Sequence, residues 1–121
     1  MNQHASLSPE RWGQFTLDQQ IIMIGNEMHR GSKLLGIGDG ERRKSAYARI
    51  LALADLTVRV TTKHGLRREL LRWRDLVARL YIVGHGEPEA HASALRVLLQ
   101  FTPEAARQIS HVAGDRVLDR E

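Results

Sequence analysis

The sequence predicts an all-α protein, an up-down bundle of four to five helices joined by short loops. Apolar residues recur at every third or fourth position along most of the chain, which is the period of a helix buried on one side. Each of the three prolines, Pro9, Pro88 and Pro103, stands where a helix can begin. A length of 121 residues with 42% hydrophobic residues is typical of one domain with its own core.

We expect one helical domain over residues 16–113, preceded by an N-terminal arm (1–15) and followed by a C-terminal tail (114–121). Trp12 and Phe15 are expected to fold back from the arm onto the domain, because two neighbouring aromatic side chains are seldom both left in water.

The first long helix is predicted over residues 17–35. Thr16 is its N-cap, and Gln19 three residues later completes a capping box. Gly36 ends this helix, and we expect Ile37 to pack back onto it, as in a Schellman motif.

A second helix is predicted to start after Asp39 and to end at His64-Gly65, with Asp55 and Arg59 as an i,i+4 ion pair. The third helix, 66–83, has the clearest periodicity. Its apolar stripe comprises Leu66, Leu70, Trp73, Val77 and Leu80, widened by Leu71, Leu76 and Tyr81.

Glu87-Pro88 opens a fourth helix, and Thr102-Pro103-Glu104 is typical of the start of a short fifth one. We expect the last two helices and the tail to supply an apolar surface for a partner helix or for self-association. The residues expected on that surface are Leu95, Leu98, Phe101, Ile109, Val112, Val117 and Leu118.

Positive charge is concentrated in the middle of the chain. Residues 41–80 hold eleven basic side chains against four acidic ones, a net charge of +7, whereas the whole chain has a net charge of +4. Most of these side chains are arginines, which bind carboxylates and phosphates through paired N–H donors. The candidate binding residues on the third helix are Arg67, Arg68, Arg72, Arg74 and Arg79, and the sequence leaves open whether they bind an acidic partner or face solvent.

Two segments resemble the catalytic spacing of the HEPN ribonucleases, in which a histidine follows an arginine after four to six residues. They are Arg59 to His64 and Arg79 to His85. The resemblance implies a histidine as general acid or base and an arginine that stabilises the phosphorane charge. Roughly two such spacings are expected by chance in a chain with this many arginines and histidines, so the pattern does not by itself indicate a nuclease.

Other chemistry has little support. The chain has no cysteine, which excludes disulfides, thiolate nucleophiles and cysteine-based metal sites. The run from His85 to His91 gathers four metal-ligating side chains, but they begin a helix on which they point apart. We therefore expect no metal and no cofactor, and catalysis is less expected than binding. The charges that interrupt every apolar run, together with a start unlike a secretory signal, indicate a cytoplasmic protein without a membrane partner.

Three blocks resemble a family of small uncharacterised bacterial proteins that are all helical: residues 12–21 together with 24–27 and Arg30, residues 47–57, and residues 66–76. This resemblance, over about residues 12–83, implies a helical core and no activity. The hairpin over residues 25–57 also distantly resembles one tetratricopeptide unit, which favours protein binding. The function we expect is a non-catalytic binding or assembly protein that acts through helix–helix contacts. The alternative is a nucleic-acid-binding domain that uses the arginines of residues 41–80, with a HEPN-like ribonuclease as its catalytic form.

Overall fold

The computed structural model describes residues 7–107, and every regular element in that range is helical, which confirms the all-α fold. The elements are α1 (Pro9–Trp12), α2 (Leu17–Gly31), a 3-10 turn (Ser32–Leu34), α3 (Gly40–Val60), α4 (His64–Ile82) and α5 (Pro88–Leu99). Residues 103–107 are helical again where the described part of the chain ends. The predicted tail, 114–121, lies outside the described residues, as does the end of the predicted fifth helix.

The four long helices form a closed bundle. Contacts join α2 to α3, α3 to α4, α4 to α5 and α5 back to α2, and α1 packs against α3. Only residues 61–63 connect α3 to α4. A helix of this size is about 30 Å long, so a connection of three residues requires the two helices to run antiparallel.

Helix α2 begins as the sequence predicts and ends earlier. The Thr16 hydroxyl accepts the Gln19 backbone N–H at 3.1 Å, and the Gln19 side-chain oxygen accepts the Thr16 N–H at 2.8 Å. The α-helix stops at Gly31 and continues as a 3-10 turn instead of reaching residue 35. The expected packing of Ile37 onto α2 is wrong, since this side chain is fully exposed beside Gly38, whose φ of 129° turns the chain towards α3.

The break between α3 and α4 falls at residues 61–63, so His64-Gly65 starts α4 rather than ending α3. Both Thr61 and Lys63 have extended backbone angles. The Thr61 hydroxyl donates a hydrogen bond to the Thr57 carbonyl at 2.6 Å, which closes the end of α3 before the histidine is reached.

The core lies where the four long helices meet, and α1 adds Trp12 to it. The predicted stripe of α4 is confirmed, because Leu70, Trp73, Val77 and Leu80 are all buried. Trp12 folds back as predicted: its side chain is fully buried, and its indole N–H donates to the Thr57 hydroxyl oxygen at 2.9 Å. Phe15 folds back only in part: its ring contacts Trp12 edge-on, but the side chain remains 38% exposed.

Helix α5 turns its leucines inward. Leu98 is fully buried, and Leu95 is 6% exposed. The close approach of α5 to α2 depends on Gly25, where a Cβ atom would lie 3.1 Å from Leu99 Cδ2 and 3.8 Å from Leu95 Cδ1. After α5, the Thr102 hydroxyl accepts the Ala105 N–H at 3.1 Å, which is the N-cap that the sequence predicts for the next helix.

Candidate binding surface on helix α4

The solvent side of α4 carries the arginines that the sequence singles out as an outer face. Arg68, Arg72 and Arg79 are all exposed, and Asp75 lies among them. Arg72 is held by Glu69 one turn earlier at 2.8 Å, whereas in the described part of the chain no ion pair joins Asp75 to Arg79. This side of the helix therefore has an excess of positive charge in contact with water.

Aliphatic side chains lie between these arginines. Leu71 is 46% exposed, Leu76 39% and Ile82 76%. The expectation that Leu71 and Leu76 widen the buried stripe is wrong. Successive residues of a helix are about 100° apart, which turns Leu71 away from the buried side and leaves Leu76 at its edge.

These residues form one continuous surface. An arc of about 100° around the helix axis includes the arginines, Asp75, Leu71 and Ile82, and Leu76 lies just beyond one edge of the arc. We call this surface the α4 outer face, and its members are Arg68, Leu71, Arg72, Asp75, Leu76, Arg79 and Ile82.

Two of the arginines predicted to bind a partner do not belong to the α4 outer face. Arg74 is half-buried and donates from Nε to the Asp55 carboxylate at 2.6 Å, so it joins α4 to α3. That hydrogen bond is the main cause that raises the pKa of Arg74. The predicted pair between Asp55 and Arg59 is replaced by this contact. Arg67 is exposed in the first turn of α4, outside the α4 outer face.

The four residues with HEPN-like spacing are not brought together. Arg59 and His64 lie at the connection between α3 and α4, whereas Arg79 and His85 lie at the other end of α4. The length of α4 separates the two pairs by about 25 Å. All four side chains are exposed, and within residues 7–107 the only polar contact that any of them makes is that of His85 Nδ1, 3.3 Å from the Gly86 carbonyl oxygen.

The predicted apolar interface is not assembled within the described residues. Leu95 and Leu98 belong to the core of the bundle, so they are not available to a partner while the fold is intact. Phe101 is half-buried and packs against the same core. Ile109, Val112, Val117 and Leu118 lie outside the described residues.

His91, at the end of the run considered for metal binding, is instead a buried structural residue. Its Nε2 lies 2.7 Å from the Met28 carbonyl oxygen, and its Nδ1 lies 2.7 Å from the Tyr47 hydroxyl. Over residues 7–107, no three histidine, aspartate or glutamate side chains are grouped so that they could hold a metal ion. A sequence motif could not have revealed this pairing, because Tyr47 and His91 belong to different helices.

Comparison with protein families, with curated proteins and with solved structures finds no match to this chain. The resemblances drawn from the sequence therefore stay predictions. Among the helices of the described part, none combines the length and the apolar character needed to cross a bilayer. The fold places this chain among all-α helical bundles, and its surface chemistry is the basis for a functional proposal.

Proposed function

We propose that this chain is a non-catalytic binding protein whose α4 outer face contacts an acidic, amphipathic helix of another protein. The observation that carries the proposal is the alternation of exposed arginines with exposed Leu71, Leu76 and Ile82 along one side of one helix. The partner that complements this surface presents leucine-like side chains flanked by glutamates or aspartates.

The aliphatic side chains favour a protein partner. A surface that binds phosphates needs positive charge, and exposed leucines contribute nothing to such contacts. Protein interfaces combine apolar contacts with arginine, which is enriched among the residues that contribute most to binding. Burial of Leu71 and Ile82 against a partner would remove apolar surface from water, at roughly 25 cal/mol for each square ångström.

Self-association through the same surface is disfavoured. In a symmetric dimer the α4 outer face would pack on itself and bring Arg68, Arg72 and Arg79 of the two copies together. Like charges that face each other across an interface cost binding energy. Leu95 and Leu98, which the sequence places on the surface for self-association, are buried in the core.

The first experiment measures binding of a fluorescein-labelled helical peptide with leucines at helical spacing and glutamates on either side. Fluorescence anisotropy with the full chain is expected to show saturable binding that weakens by about tenfold between about 50 and 500 mM salt, because the charged contacts are screened. A peptide of the same composition in scrambled order serves as the control.

Matched variants locate the contact. Leu71→Asp and Arg72→Glu are expected to weaken peptide binding at least tenfold. Val97→Asp and Arg96→Glu change residues of α5 that are also exposed, Val97 by 38% against 46% for Leu71, and should have no effect. Equal affinity in Leu71→Asp and Val97→Asp would overturn the proposal.

Nucleic-acid binding is the second candidate, favoured by the net charge of +7 in residues 41–80 and by the exposure of most of these arginines. Single-stranded RNA in the same assay separates the two. The second candidate replaces the first if three results are found together: RNA binds tightly at low salt, Arg72→Glu weakens this binding, and Leu71→Asp leaves it unchanged. Gel filtration with light scattering at low and high salt, with the absorbance ratio as a test for copurified nucleic acid, tests independently whether the chain binds nucleic acid.

A further inference from the structure

A pocket of about 320 Å³ opens between the first turns of α3 and the end of α4, away from the α4 outer face. Its walls combine two cations, two tyrosine rings and two aliphatic side chains, contributed by Arg43, Lys44, Tyr47, Leu80, Tyr81 and Val83. A concave site with an apolar lining and a few polar groups is the usual form of a small-molecule site.

Arg43 is the unusual member of this lining, because it is 8% exposed and still charged. Its guanidinium donates to the carbonyl oxygens of Leu34 at 3.1 Å, Gly36 at 3.3 Å and Gly84 at 3.4 Å. No carboxylate of the described residues forms an ion pair with it. A guanidinium has five N–H donors, so the three carbonyls leave two donors without a partner among the described residues, and they offset the positive charge only through their dipoles.

Lys44 adds a second cation at the same pocket. Its Nζ lies 5.5 Å from the centre of the Tyr81 ring, a cation–π contact that leaves the ammonium group without a carboxylate partner in the described part of the chain. Glu41 is the only carboxylate among the lining residues, so the lining has a net charge of +1. Glu87 also acts on Tyr47 through its charge, so the cations of the pocket are partly balanced, and a bound anion would give the buried Arg43 guanidinium a direct partner.

We propose that this pocket binds a small organic monocarboxylate. The carboxylate lies between Arg43 and Lys44, and an apolar or aromatic body packs against Leu80, Tyr81 and Val83. The planar guanidinium suits a carboxylate, and Glu41 disfavours ligands of higher negative charge such as inorganic phosphate. Tyr47 contributes its ring, because its hydroxyl is already hydrogen-bonded to His91.

The test uses phenylacetate as the probe, with phenylacetamide as its neutral counterpart of the same shape. The full chain is titrated with phenylacetate, and its amide chemical shifts are followed by NMR. The amide signals of residues 40–47 and 80–84 are expected to shift, with a Kd of about 1 mM, in the range for a ligand of this size. Phenylacetamide is expected to bind at least tenfold more weakly, and inorganic phosphate is expected not to compete.

Variants at the pocket make the test specific. Lys44→Gln changes an exposed side chain, and it is expected to weaken phenylacetate binding about fivefold. Lys33→Gln, an exposed lysine elsewhere, is the matched control and should leave the affinity unchanged. The proposal is overturned if the acid and the amide bind alike, if the shifts fall elsewhere, if phosphate displaces the probe, or if the two lysine variants behave alike. None of these outcomes depends on the α4 outer face.

Discussion

The Tyr47 hydroxyl and His91 Nδ1 lie 2.7 Å apart at the buried junction of α3 and α5. The other ring nitrogen, Nε2, lies 2.7 Å from the Met28 carbonyl oxygen of α2. A carbonyl oxygen can only accept, so Nε2 bears a hydrogen. Burial lowers the pKa of His91 and favours the neutral ring, and in that form Nδ1 accepts the hydrogen bond from Tyr47. His91 thereby links three helices.

This pair predicts a loss of stability in acid. Burial lowers the pKa of His91, the charge of His29 lowers it further, and the hydrogen bond to Met28 partly opposes the shift. Below the ordinary histidine pKa of 6.5 the unfolded chain takes up a proton that the folded chain does not, so the free energy of unfolding falls as the pH decreases. Urea unfolding at a series of pH values measures this slope. His91→Gln is expected to flatten it, with His64→Gln as the exposed control, and equal slopes in the two variants would contradict the assignment.

The same pair predicts a loss of stability in alkali. Burial raises the pKa of Tyr47 from 10.0 to about 12, with Arg43 opposing the shift and Glu87 reinforcing it. Above pH 10 the unfolded chain releases a proton that the folded chain retains, so stability falls by roughly 2–3 kcal/mol as the pH rises to about 12. Tyr47→Phe should remove this loss, whereas Tyr81→Phe should retain it. If both variants follow the wild-type alkaline curve, Tyr47 is not the group responsible.

The Thr57 hydroxyl is expected to contribute to the free energy of unfolding through its two hydrogen bonds. Its oxygen accepts the indole N–H of Trp12 at 2.9 Å, and its hydrogen is donated to the Leu53 carbonyl at 2.8 Å. Thr57→Val keeps the shape but leaves the indole N–H buried without an acceptor, which costs about 1–3 kcal/mol. Chemical denaturation followed by tryptophan fluorescence gives the value. The exposed Thr62→Val should change stability by less than about 0.5 kcal/mol, and a Thr57→Val cost as small as that would refute the argument.

Two glycines should respond oppositely to alanine. A Cβ atom at Gly86 would overlap the carbonyl of Leu35, because the loop before α5 passes directly against the end of the 3-10 turn. Gly86→Ala is expected to cost about 2 kcal/mol or more. At Gly65, in the first turn of α4, a Cβ atom meets nothing within 4 Å, and alanine is expected to stabilise the helix by up to about 1 kcal/mol. Thermal unfolding of the two variants measures both effects, and equal midpoints would contradict the close approach at Gly86.

RNA cleavage is the remaining test of the HEPN-like spacings. We expect the purified chain to cleave single-stranded RNA no faster than a variant with His64→Ala and His85→Ala, because the two Arg–His pairs lie at opposite ends of α4. Incubation with a fluorescence-quenched RNA substrate measures the difference. Cleavage by the wild type that disappears in the double variant would establish the catalytic alternative.

The sequence by itself determined the helices of this protein and most of their buried sides. The capping box of Thr16 and Gln19 and the stripe from Leu70 to Leu80 depend on residues within a few positions of each other, and local periodicity is enough to find them. Helix ends were less well determined. Where α2 and α3 stop depends on a 3-10 turn and on the Thr61 hydroxyl, and neither has a periodic signal.

Only the tertiary structure decided which surfaces are covered. Leu71 and Leu95 are both leucines on amphipathic helices, yet Leu71 is exposed and Leu95 is buried, because α5 contacts both α2 and α4 whereas no helix within residues 7–107 covers the outer side of α4. Tyr47 finds its partner 44 residues away across the bundle, and one of the three carbonyls that Arg43 contacts is 41 residues away. Periodicity describes one helix at a time, whereas burial and polar pairing are properties of the neighbours that each helix meets.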